Sequence, residues 1–144
     1  MNSFRFPLKR VLDWRRTQLG IQEARYKQQA AALAALDGLR AEIEAEGIRA
    51  ELQVREWGNV TSVDLEALSA FRVRVKAREA RIAAQRVECA RKLAEEQKAM
   101  LEARRKCKLL ERLEERKLAE WRAARDKELD ELAAESFLAS IGHR

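Results

Sequence analysis

A chain of 144 residues has room for one domain, and its composition narrows the fold sharply. Charged residues make up 38%, Gly and Pro contribute only five and one, and Ala, Glu, Lys, Leu and Arg fill well over half of the sequence. This excludes a compact α/β or all-β domain and points to long helices whose apolar residues form a narrow seam. The net charge of +6 is spread over mixed acids and bases, the pattern of solvated helix faces with pairs four residues apart.

The first element opens with FRFPLKRVLDWRR, Phe4 to Arg16. Leu8 to Leu12 is too short and too interrupted by Lys9 and Arg10 for the apolar core of a signal peptide. Val11, Leu12 and Trp14 form no broad membrane-binding face. Pro7 suits the first helical position, where its missing N–H has no role. Phe4 and Phe6 are placed to pack back on the first turn. Lys9 and Arg10 oppose the helix dipole by about 0.3–1 kcal/mol each. They therefore ask for an explanation outside the helix, and an acidic partner would supply one.

Helix 1 is expected over about 7–57. One seven-residue column runs Leu8, Arg15, Gln22, Gln29, Leu36, Ile43, Ala50 and Trp57. The other runs Leu12, Leu19, Tyr26, Leu33, Arg40, Gly47 and Val54, giving a seam with polar gaps. Gly20, Gly38 and Gly47 are soft points inside it, each weaker than Ala by about 1 kcal/mol.

A turn is expected at about 58–62. Gly58 and Asn59 suit the left-handed conformation that ends a helix, and Thr61 and Ser62 suit the cap of the next. Asp64 and Glu66 then favour its dipole. Helix 2 is expected over about 63–138. Its columns read Leu68, Val75, Ile82, Cys89 and Leu65, Leu93, Met100, Cys107, with Leu110 continuing the first; beyond Leu110 the phase drifts. Both cysteines fall on the seam and read as small core residues. Eighteen residues apart on one helix, they stand about 27 Å apart, too far for a disulfide within the chain.

So short a turn folds the helices back antiparallel. The whole of 1–144 is then a single all-α unit: two long helices in an antiparallel coiled-coil hairpin, the second longer than the first. Residues whose numbers sum to roughly 120 should face each other, counting outward from the turn. From about Arg116 onward, helix 2 would have no partner in the chain, although it carries Leu118, Trp121, Leu129, Leu132, Phe137 and Leu138.

No catalytic constellation is evident. His143 is the only histidine and stands next to the end of the sequence, and no phosphate-binding glycine loop or metal-ligand spacing occurs. The expectation is a protein that is not an enzyme, with no cofactor, no metal and no catalytic residue. Nucleic acid is not expected as a partner, because Glu111, Glu114 and Glu115 interrupt the basic block LEARRKCKLLERLEERK. No segment has the length and apolarity for direct membrane insertion.

FRFPLKRVLDWRR resembles the start of the FliJ family of flagellar export proteins, where an F-x-F-x-L-x-x-V-L pattern opens a long helix. KLLERLEERKLAEWRAARDKELDELA, Lys108 to Ala133, is similar to that family's C-terminal segment. The resemblance covers nearly the whole chain. It implies a two-helix stalk that binds the hexameric flagellar export ATPase through the end carrying both termini. Carried onto this sequence, that end comprises Lys9, Arg10, Trp14, Arg15, Arg112, Arg116, Trp121 and Arg122. The resemblance also implies contact with the cytoplasmic part of an export-gate membrane protein near the turn, placed here at Ile48, Leu52, Phe71 and Val75. For those residues, simple packing within the hairpin is the alternative. Export chaperones would be further partners, and the place of work the bacterial cytoplasm, peripherally at the cytoplasmic face of the inner membrane at the flagellar base. The equivalent stalk protein of virulence type III secretion and a generic homodimeric coiled-coil scaffold are the competing readings.

Overall fold

The computed structural model describes residues 3–143. The chain is all-α among these residues, with α1 spanning Lys9–Glu56 and α2 spanning Ser62–Gly142, packed against each other. The 81 residues of α2 exceed the 48 of α1, in the expected order of lengths. Contacts divide the chain into two compact units. The turn unit is Gln22–Met100; the terminal unit joins the residues up to Ile21 with those from Leu101 onward.

In the turn unit the two helices run antiparallel. Asp37 accepts from Arg86 at 2.7 Å, Glu46 from Arg78 at 3.3 Å and Glu51 from Arg72 at 2.8 Å. These pairs displace the register from the expected one by about three residues, less than one helical turn. All six side chains are about half exposed, so the pairs fix register more than they stabilise. The seam beneath them is apolar, with Ile43, Ile82 and Cys89 buried. Cys89 Sγ lies 3.8 Å from the Gln29 carbonyl, as a seam residue should.

The turn differs from expectation on one side and matches on the other. No described residue, Gly58 and Asn59 included, has a positive φ. α1 ends instead by tightening, with Trp57 N–H donating to the Val54 carbonyl at 3.2 Å. The start of α2 is a reciprocal cap. Asp64 N–H donates to Thr61 Oγ1 at 3.2 Å, and Thr61 N–H donates to Asp64 Oδ2 at 3.1 Å.

In the terminal unit α1 begins at Lys9, two residues later than the proline suggested. Lys9 N–H donates to the Phe6 carbonyl at 3.1 Å, which makes Phe6-Pro7-Leu8-Lys9 a turn with proline at its second position. The fixed φ of Pro7 is used there, ahead of the helix. Leu12 is fully buried and Cys107 nearly so. α2 continues to Gly142, four residues beyond the expected end, and every described residue after Arg125 is exposed. Among the described residues no helix is long and apolar enough to cross a membrane.

Candidate functional site

The terminal unit is built from a short arm, Ser3 to Leu8, the first turns of α1 and the second half of α2. The arm does not fold back on α1 alone. Phe6 is buried, and the Phe4 ring meets Trp121 at a centroid distance of 6.1 Å, tilted by 54°. The partnerless stretch of α2 therefore starts after Arg125 and not at Arg116, because the arm extends the pairing by several residues. The cause is geometric: Trp121 lies beyond the first residue of α1, so only chain ahead of that helix can cover it. This placement of the two phenylalanines was the part of the site that helix periodicity could not reach.

Between arm and helix lies an open groove of about 1150 Å³, whose walls include Phe4, Pro7, Leu113, Lys117 and Trp121. A second cleft of about 530 Å³ adjoins it at Lys9, Arg10 and Glu114. Its charges are partly satisfied within the protein. Lys9 Nζ stands 3.7 Å from Glu114 and 4.0 Å from Asp13. Arg16, which the sequence did not single out, reaches Glu111 at 3.4 Å and Asp13 at 3.8 Å. The Arg125 guanidinium lies 5.1 Å over the Trp121 ring.

The sequence-predicted residues of this end fall into two groups. Lys9 is tied to carboxylates, and Trp121 is half-buried under the arm. Arg10, Arg112, Arg116 and Arg122 are exposed and carry no ion pair among the described residues. Arg15 stacks over Trp14 at 4.8 Å and has no carboxylate partner among the described residues, while Trp14 is itself half exposed. The unit thus presents unpaired guanidinium groups together with aromatic surface. Such groups make short, bidentate hydrogen bonds with carboxylates, so the chemistry that fits is an acidic peptide or loop.

The residues placed near the turn lie in the other unit. Ile48, Phe71 and Val75 line an open groove of about 520 Å³, with Glu44, Glu51, Arg72 and Lys76 at its rim. Phe71 and Val75 are half-buried and Ile48 is 60% exposed. Leu52, one turn beyond Ile48, is half exposed and does not line the groove. Gly47 forms the groove floor, where a Cβ would lie 3.8 Å from Val75 Cγ1. Elsewhere in this unit, the hydrogen bonds that Arg91 donates hold the Glu88 carboxyl below the usual range.

The architecture is that of an all-α protein made of two helices. Comparison of the chain with family models, with curated proteins and with solved structures returned no match.

Proposed function

We propose that this chain is a stalk-like component of flagellar type III protein export, of the FliJ kind, acting by binding and not by catalysis. Its terminal unit engages the hexameric export ATPase, and the groove at Ile48, Phe71 and Val75 engages the cytoplasmic part of the export gate. Export chaperones are its further partners, and it works at the cytoplasmic face of the inner membrane at the flagellar base. The observation that carries the reading is the set of exposed arginines without carboxylate partners among the described residues, Arg10, Arg112, Arg116 and Arg122, beside the exposed Trp14. These cations, unpaired among the described residues, oppose one another, and an acidic partner relieves that opposition.

The test is co-sedimentation of the chain with the purified hexameric ATPase at low and at physiological salt. The expected result is binding that falls with salt and is lost in an Arg15→Glu, Arg122→Glu double variant whose helicity is unchanged. Absence of binding at low salt, or binding indifferent to the double reversal, overturns the reading.

A further inference from the structure

The face of α2 opposite its seam is exposed from Leu101 to Ile141. Its residues recur at three- and four-residue steps and so form one continuous stripe along the helix. The first half is basic: Leu101, Arg105, Lys108, Arg112 and Arg116, ending at Ala119. The second half begins at Ala123 and is acidic, then apolar: Asp126, Asp130, Ala134, Phe137 and Ile141. Leu101, Phe137 and Ile141 are 50%, 65% and 52% exposed. Lys108, Arg112, Arg116 and Asp130 have no ion pair among the described residues, and Asp126 has only its neighbour Arg125 at 3.7 Å.

The order of these residues is complementary to its own reverse. Turn a second copy of the stripe antiparallel about a two-fold axis at the level of Trp121. Arg116 then meets Asp126, and Arg112 meets Asp130. Leu101 meets Ile141, and Arg105 lies against Phe137, a cation on an aromatic ring. Ala119 meets Ala123 at the axis, where small side chains allow close approach of two helices. Each contact occurs twice, as an isologous interface requires. A shift of one turn would exchange these partners, Arg112 then meeting Asp126, Lys108 meeting Asp130 and Leu101 meeting Phe137, so pairing Arg112 with Asp130 specifically defines the register centred on Ala119–Ala123.

We infer that the exposed face of α2 is a self-association surface whose occupant is a second copy of this chain, antiparallel and centred on Ala119–Ala123. Charge complementarity selects this occupant, because the basic half of the stripe is the counterpart that its own acidic half requires. The overlap of about 40 residues runs about 60 Å. Arg112 and Arg116 are also assigned above to an acidic partner, so the dimer and that complex exclude each other. The inference does not depend on that assignment, and its experiment uses this chain alone.

The experiment is sedimentation equilibrium of the full chain over a range of concentrations at low and high salt. A monomer–dimer equilibrium weakened by salt is expected. Arg112→Asp should raise the dissociation constant at least tenfold, as should Asp130→Arg. Combining the two in one chain should restore it to within about threefold of the original, since the pair is re-formed with its charges exchanged. Both sites are exposed, so circular dichroism should show unchanged helicity in all three variants. A monomer at every concentration, a larger assembly, a dimer indifferent to the single reversals, or a double variant that fails to recover each overturns the inference. A monomer would assign the face to a different protein.

Discussion

Replacing Gly20, Gly38 and Gly47 by alanine should stabilise the protein, and the size of the gain can be worked out site by site. Each lies inside α1, where glycine costs about 1 kcal/mol relative to alanine through backbone entropy. At Gly20 and Gly38 an added Cβ would meet nothing within 4 Å. At Gly47 it would sit 3.8 Å from Val75 Cγ1, an ordinary contact that adds a little apolar burial. None of the three has a positive φ, so alanine fits the backbone as it stands. The sites are at least nine residues apart, about 13 Å along the helix, so the effects should add to about 3 kcal/mol. For a chain of this length that corresponds to a rise in Tm of about 10 °C. Thermal melts followed by far-ultraviolet circular dichroism measure it. No rise at Gly20 or Gly38 would refute the reasoning, because it would mean those turns of helix are not formed in the folded protein. A fall at Gly47 alone would place the two helices closer there than the structure has them.

Thr61→Ala removes the hydroxyl that caps α2 and the anchor of its reciprocal bond with Asp64; a loss of about 1 kcal/mol in chemical denaturation is expected. Cys89 and Cys107 are buried thiols outside any disulfide, so a thiol reagent should label neither in the native protein at a rate approaching that of an exposed thiol, and both after denaturation. Rapid labelling of Cys107 would contradict its burial within the terminal unit.

The helices, their order and both cysteines were legible in the sequence because a seam of apolar residues dictates them. Ile43, Ile82, Cys89 and Cys107 lie on the expected columns and are buried. Thr61 and Asp64 were legible for a different reason, since capping is a local matter of residue type and spacing. The exit from α1 was not. Gly58 and Asn59 permit a left-handed residue without requiring one, and closure by Trp57 on Val54 uses backbone groups that every sequence has. The arm was half legible. Pro7 marked a helix start to within two residues, but periodicity describes a helix against its neighbour and says nothing of extended chain. The covering of Trp121 by Phe4 therefore needed the three-dimensional register. Near the turn, Ile48, Phe71 and Val75 share a groove while Leu52 does not, a distinction below the resolution of a seven-residue column.

The charges of the terminal unit carry the strongest argument about what this protein does. Basic residues on a long helix usually find a carboxylate three or four positions away or across the seam. Lys9, Arg16 and Lys117 do so here. Arg10, Arg112, Arg116 and Arg122 do not, among the described residues. The difference does not arise from a shortage of acids. Glu128, Asp130, Glu131 and Glu135 stand on the same helix, equally without ion pairs among the described residues. Arg112 and Asp130 stand eighteen residues apart on one helix, about 27 Å, so these two cannot neutralise each other within it. Exposed charges of this kind are solvated by water, and a partner of opposite charge can replace that water. An acidic partner satisfies the basic end alone. A second copy laid antiparallel pairs Arg112 and Arg116 with Asp130 and Asp126, so adding the acidic partner should dissociate that dimer and leave the acidic tail free.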